Sequence, residues 1–132
     1  MLALNTPRQK VILIVEDDGD LRAMFRTVLT LCGFAVREAG DGYQALNLIE
    51  QHPPDLILLD LGLPRLDGLT VQAEVSAQAL TRDIPIVIVT GEERDLSSVK
   101  VACLLRKPVS PDQLVTTVRR CLASGTGRSS LA

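Results

Sequence analysis

Four short stretches of this chain carry groups that could do chemistry together. Asp60 closes the apolar run Leu56 to Leu59, and a loop with Gly62, Pro64 and Asp67-Gly68 follows it. Glu16-Asp17-Asp18 follows a second apolar run, Val11 to Val15. Thr90-Gly91 follows a third, Ile84 to Val89, and Lys107-Pro108 closes a fourth, Ala102 to Leu105 with Arg106. Three or four carboxylates brought within a few ångströms repel one another, and left alone one must take up a proton. A hard divalent cation removes that conflict. Magnesium prefers oxygen ligands and keeps several waters, so one or two carboxylates plus a phosphate oxygen suit it. A lysine is a point-charge partner for phosphate. Thr90 offers a hydroxyl donor, and Gly91 lets a backbone N–H approach closely. The set is suited to placing a phosphoryl group on an aspartate, with the cation and Lys107 stabilising the charge of the transferring group.

That chemistry requires the four runs to be neighbouring strands with their carboxyl ends together. Short apolar runs bounded by turn signals read as buried strands. The pattern predicts strands over 11–15, 34–37, 55–60, 84–89 and 102–105. Between them, apolar residues at helical spacing predict helices over 19–32, 44–51, 68–78 and 111–123, with a further short helix over 92–100. Asp18 or Asp20 can cap the first helix and Gly33 can end it, while Ser110-Pro111-Asp112 is a strong start for the last. Five strands alternating with five helices imply a parallel sheet covered on both faces. A doubly wound sheet of order 2-1-3-4-5 fits, and its switch point lies between strands 1 and 3. Glu16-Asp17-Asp18 and Asp60 end those two strands, so the acids converge where this architecture binds ligands.

Composition excludes several other classes. At 132 residues and 46% hydrophobic content the chain makes one domain, residues 10–123, between a loose tail over 1–9 and a Gly/Ser-rich, disordered tail over 124–132. A net charge of −2 gives no basis for direct nucleic-acid binding. Phe25, Phe34 and Tyr43 are the only aromatic residues, too few for a base-stacking platform. No apolar run reaches a membrane span and the first ten residues hold no signal-peptide core. Cys32, Cys103 and Cys121 form no CxxC and read as reduced core residues of a cytoplasmic protein. His52, beside two prolines, reads as exposed loop, and Arg119-Arg120 as a solvated helix face.

Taken together, Val-Glu-Asp-Asp, Leu-Asp-Leu-Gly-Leu-Pro-Arg-Leu-Asp-Gly, Val-Thr-Gly and Lys-Pro, in this order at strand ends, resemble the receiver domain of bacterial two-component response regulators. The resemblance spans residues 10–123 and implies a flavodoxin-like fold. It implies that Asp60 is the phosphoacceptor, that Thr90 is the switch hydroxyl and that Lys107 binds the phosphate. It also implies a magnesium or manganese ion held by Asp17 directly, by Glu16 through water, by Asp60 and by the backbone carbonyl of Gly62. The Lys107–Pro108 bond is expected to be cis. The implied partners are a sensor histidine kinase or histidine phosphotransfer protein and a downstream protein target. Such a protein is not an enzyme in its own right, beyond slow self-phosphorylation and autodephosphorylation. With no room for an output domain in 132 residues, it acts alone or as part of a longer regulator or hybrid kinase.

Three features depart from the family pattern. The position three before Lys107, usually Tyr or Phe, is Leu104, and the position two after it, usually Phe, is Val109. Thr90 and Lys107 are 17 positions apart, more than one helical turn shorter than usual, so the fourth helix or its link to the fifth strand must be truncated. Output through that face is therefore expected to be atypical, with any homodimer present without phosphate and formed through another face. Two other readings compete. A pseudo-receiver keeps the fold without phosphorylation. An aspartate-based phosphatase could use Asp18-Gly19-Asp20 as a DxD motif, although Glu16-Asp17 separate it from the strand.

Overall fold

The computed structural model describes residues 8–128, with side chains through Ser124. Its elements run β1 (Val11–Val15), α1 (Gly19–Leu31), β2 (Ala35–Ala39), α2 (Gly42–Gln51), β3 (Leu56–Asp60), α3 (Gly68–Ala77), β4 (Ile86–Thr90), β5 (Cys103–Arg106) and α4 (Pro111–Arg128). The five strands form one parallel sheet of order β2-β1-β3-β4-β5. β3 and β4 are buried along their whole length, which is why both read as unbroken apolar runs rather than alternating ones.

Strand alternation divides those runs between two cores. Ile12, Ile14, Leu56, Leu58, Val87 and Val89 face α1 and α4, where they meet Phe25, Leu29, Leu114 and Val118. Leu13, Val15, Ile57, Leu59, Ile86 and Ile88 face α2 and α3, where they meet Ala45, Ile49, Val71 and Val75. Each of the larger of these side chains contributes roughly 1.5–3 kcal/mol on burial. Asp18 caps α1 and Asp41 caps α2 by accepting backbone N–H bonds. At α4, Ser110 Oγ accepts from Gln113 N at 3.1 Å while Gln113 Oε1 accepts from Ser110 N at 2.9 Å. This reciprocal capping box precedes Pro111 at the first helical position. No helix among the described residues is long and apolar enough to cross a membrane.

Register aligns the strand ends. Val15 pairs with Leu59, so Glu16 and Asp60 are the next residues on adjacent strands. Asp60 pairs with Val89 and Thr90 with Arg106, which brings Thr90 and Lys107 to the same edge. β1 lies between β2 and β3, where the order reverses, and the site sits beyond the carboxyl ends at that point.

Two expectations need correction. The helix expected over 92–100 does not form, and the described residues hold four helices rather than five. Geometry explains this. β4 has five residues, so the chain must travel back about 17 Å before β5 starts. A helix covering that distance needs about eleven residues at 1.5 Å each. Residues 91–102 would then have nothing left for two turns, whereas extended chain covers the span in five or six residues. Side chains and single turns fix the path instead. Ser97 N donates to Asp95 Oδ1 (3.0 Å), Gln72 Nε2 to Lys100 O (2.9 Å) and Ala102 N to Ile86 O (2.8 Å). Leu96 and Val101 cover the second core. Among the described residues no helix lies over Leu104, which stays 39% exposed.

At the other end, α4 continues to Arg128, past the expected boundary at residue 123. Glycine and serine disfavour a helix interior by roughly 0.5–1 kcal/mol each, but adding residues to an existing helix needs no new nucleus. Residues 124–128 of the expected disordered tail over 124–132 are thus helical, while 129–132, and 1–7 of the expected tail over 1–9, lie outside the described residues.

Candidate functional site

Glu16, immediately beyond β1, is 1% exposed, and Asp60, the last residue of β3, is 5% exposed. Asp17 is exposed beside them. One carboxylate oxygen from each of the three lies within 4.8 Å of the others. Lys107 reaches across from the end of β5. Its Nζ lies 3.1 Å from Glu16 Oε1 and 3.5 Å from Asp60 Oδ2. One ammonium therefore faces two buried carboxylates, and a third acid completes the rim.

Burial pushes the Glu16 carboxyl up to about 7. The Asp18 N–H, 3.1 Å from Glu16 Oε2, works against this, the Asp60 charge reinforces it, and Lys107 opposes it. Burial also works against the charge on Lys107, but Glu16 and Asp60 outweigh it and hold the ammonium above its ordinary value. Glu16 is anchored from its backbone as well, since its carbonyl accepts from Arg22 Nη1 at 2.7 Å and Arg22 Nε pairs with Glu38. Asp18 Oδ1 accepts from the backbone N–H groups of Asp20 (2.9 Å) and Leu21 (3.2 Å), so Asp18 serves as the helix cap.

The loop after β3 holds Asp60 from the other side. Gly62 N donates to Asp60 Oδ1 at 3.2 Å, and Gly68 N to Leu61 O at 3.1 Å. Gly68 packs so closely on the end of β3 that a Cβ there would collide with the carbonyl oxygen of Asp60 and the Cα of Leu61. Thr90 is buried, and its Oγ1 accepts from Glu92 N at 3.0 Å. Lys107 N donates to Thr90 O at 3.0 Å, which fixes where the lysine leaves the sheet. The Lys107–Pro108 bond is cis, as the motif implied, and Val109 fills a core position where the family usually has Phe. The expected residues Glu16, Asp17, Asp60 and Lys107 are thus brought together, with Gly62 and Thr90 at the edges of the same strand ends.

Two residues at the rim escaped the sequence reading. Arg94 Nη2 lies 3.1 Å from Asp67 Oδ1, and its Nε lies 2.8 Å from Glu92 Oε1. Glu92 leans over Gly62, where an added Cβ would come within 3.1 Å of Oε2. Arg94 thereby ties the segment after β4 to the loop before α3. The signal was the charge cluster Glu92-Glu93-Arg94 right after Thr90-Gly91, which reads as a solvated helix face when a helix is expected there.

The donor set fits a hard divalent cation. All its side-chain ligand atoms are carboxylate oxygens, and the buried Glu16 Oε1 has the charge contact with Lys107 but no aligned hydrogen-bond donor. Magnesium and manganese both suit oxygen ligands of this kind.

Comparison with known proteins agrees with this geometry. The family model described as the response regulator receiver domain matches residues 12–119. The phosphate regulon transcriptional regulatory protein PhoB of Pseudomonas aeruginosa is 35% identical over 126 residues, which cover 91% of this chain and 55% of that protein. The chain thus spans about half the length of such curated relatives. The chemotaxis response regulator CheY4 of Vibrio cholerae superposes with a TM-score of 0.81 at 27% identity, covering 86% of this chain and 99% of that one. A CheY-like receiver domain protein from Methanospirillum hungatei shares the fold, with a TM-score of 0.86 at 24% identity over 92% of this chain and 99% of its own. Sheet order, strand-end acids and family match agree, and the chain belongs to the response regulator receiver domain family of two-component systems.

Proposed function

We propose that Asp60 accepts a phosphoryl group from a phosphohistidine of a sensor histidine kinase or histidine phosphotransfer protein. The observation that carries this reading is Lys107 Nζ poised between Glu16 and Asp60 at the switch point of the sheet. An Asp60 carboxylate oxygen attacks phosphorus in line, the P–N bond breaks, and the imidazole leaves with its electron pair. The product is an acyl phosphate on Asp60. Lys107 turns to the phosphoryl oxygens, and Thr90 Oγ1 donates to one of them while still accepting from Glu92 N. Glu16, Asp17, Asp60 and the Gly62 carbonyl would hold magnesium or manganese, which supplies positive charge to the phosphoryl oxygens when bound. The domain consumes its own side chain, so it is a phosphoacceptor rather than an enzyme, with at most slow self-phosphorylation and autodephosphorylation. An open groove of about 640 Å³ beside Lys107, walled by Leu21, Met24, Pro108 and Val109, supports docking of the donor protein there. Asp18 is occupied as a helix cap, which counts against its use as a phosphatase nucleophile.

Intact-mass spectrometry with a small phosphodonor tests the proposal. One added phosphoryl group is expected, dependent on a divalent cation and absent in Asp60→Ala. Labelling that survives Asp60→Ala undiminished, or proceeds equally well in chelator, would overturn it.

The output is proposed to be a protein contact of unusual form. Any movement of Thr90 must act on residues 91–102, which Arg94 fastens to Asp67. Leu104 carries no ring to swing and no phenol to re-bond. A phosphate shifts a conformational equilibrium only through contacts that differ between the two states. Phosphorylation is therefore expected to loosen the Arg94 tie, without building a dimer across β5 and residues 91–102. Sedimentation with and without phosphodonor should give the same association state, with any homodimer present in both. A dimer that forms only with phosphate and crosslinks through residues 91–102 would contradict this.

A further inference from the structure

A thiol pair lies at the end of the sheet opposite Asp60. Cys103 begins β5 and Cys121 lies in α4, 18 positions later. Cys121 Sγ donates to Cys103 Sγ across 3.0 Å, and Arg120 Nη2 lies 3.3 Å from the same Cys103 sulfur. Both cysteines are free thiols. They line a cavity of about 290 Å³ whose wall also carries Arg82, Lys100 and Arg120. Cys103 is half-buried and Cys121 is buried, so the cavity gives access to Cys103 first.

We propose that Cys103 and Cys121 form a reversible redox pair, in which Cys103 attacks a hydroperoxide and Cys121 resolves the product to an intramolecular disulfide. The two sulfurs have different environments, and these suit the two roles. Burial opposes the Cys103 thiolate, but the Cys121 S–H and the Arg120 guanidinium outweigh it and hold Cys103 below the usual thiol range. Burial pushes Cys121 up to about 12, so it remains a thiol until its partner is oxidised. The Cys103 thiolate forms an S–O bond with the terminal peroxide oxygen, the O–O bond breaks, and the leaving alkoxide or hydroxide takes a proton from water. Cys121 sulfur then attacks the sulfenic acid. The S–S bond forms, the S–O bond breaks, and the released hydroxide takes the Cys121 proton to leave as water. Two thiols lose two electrons to one peroxide. A dithiol reductant reverses the pair by exchange.

The two elements joined lie on either side of the segment that carries Lys107. The disulfide would bind β5 to α4 and close a loop containing the phosphate-binding lysine. Oxidation would therefore restrict the part of the receiver through which a signal leaves.

Full-length reduced protein treated with about one equivalent of hydrogen peroxide, then alkylated, digested and mapped, tests the proposal. A Cys103–Cys121 crosslinked peptide is expected while Cys32 remains alkylated. Arg120→Leu should slow the reaction several-fold. In Cys121→Ser a dimedone adduct should accumulate on Cys103. The oxidised form should melt about 10 °C higher, as expected for a loop of this length. The proposal is overturned if Cys103 and Cys121 both stay alkylatable when Cys32 is already oxidised, or if the disulfide formed includes Cys32. Mapping of the native chain decides this even where a variant fails to fold.

Discussion

Asp60→Asn is expected to stabilise the metal-free domain while removing its capacity to accept a phosphoryl group. The reason lies in Glu16. Burial, with help from the Asp60 charge, raises its carboxyl from 4.5 to about 7. A carboxyl raised on folding binds a proton more tightly in the native state, so stability falls as pH rises between those two values. Over the whole window the loss is on the order of 2–3 kcal/mol. Lys107 is held above its ordinary 10.5, so it remains charged throughout and adds no slope there. Asp67, held low chiefly by Arg94, and Asp41, held low chiefly by the Gln44 N–H, lose their contributions only on the acid side of this window. Neutralising residue 60 removes one repulsive partner of Glu16. Because Lys107 keeps its shorter contact with Glu16, metal-free Asp60→Asn should therefore melt above the native chain at pH 8, with the difference shrinking towards pH 5. Magnesium should narrow the gap by stabilising the native chain more. Equal melting at pH 8, or native stability that rises from pH 5 to pH 7.5 in chelator, would contradict this electrostatic account.

The second large effect concerns packing. Gly68→Ala should destabilise the domain and depress phosphotransfer together. An added methyl meets the carbonyl oxygen of Asp60 and the Cα of Leu61, the latter at 2.7 Å. These are backbone atoms of a buried strand end and cannot step aside as a flexible side chain would. Alanine favours a helix over glycine by about 1 kcal/mol. Overpacking against a rigid wall costs about 1–3 kcal/mol, and here the wall carries Asp60. Against backbone atoms the cost sits at the upper end of that range, so overpacking wins by about 2 kcal/mol, with an expected fall in melting temperature of about 5–10 °C. Phosphotransfer measured well below that temperature should still drop, because the displaced backbone moves Asp60. Gly19→Ala is the control, since nothing lies within 4 Å of its added Cβ and α1 should gain slightly. A Gly68→Ala protein as stable and as reactive as the native chain would mean that the β3–α3 junction is looser than its packing indicates.

Much of this molecule could be read from its residues, for a physical reason. β1, β3 and β4 are buried on both faces and so appear as unbroken apolar runs, each ending at a residue of the site or directly before one. Once those runs and β5 are neighbouring parallel strands, Glu16, Asp60, Thr90 and Lys107 end at one edge of the sheet. What could not be read depends on contacts distant in sequence. Leu96 falls within the stretch expected to be helical, yet it and Val101 cover the core from an irregular crossover. The 17-position spacing signalled a truncation, but only the length of β4 shows why a complete helix is excluded. The Arg94–Asp67 pair joins residues 27 apart, and the Cys103–Cys121 contact joins a strand to a helix. Neither leaves a periodic trace in the sequence.

The most direct test of the account is the location of the phosphoryl group itself. The native chain is incubated with a small phosphodonor and magnesium, and the acyl phosphate is reduced with borohydride, which converts the modified aspartate to homoserine. Peptide sequencing then shows which residue was changed. Homoserine is expected at position 60 alone, with Asp17, Asp18 and Asp67 intact. Homoserine at position 17 or 18, or a phosphorylated chain with Asp60 unchanged, would contradict it.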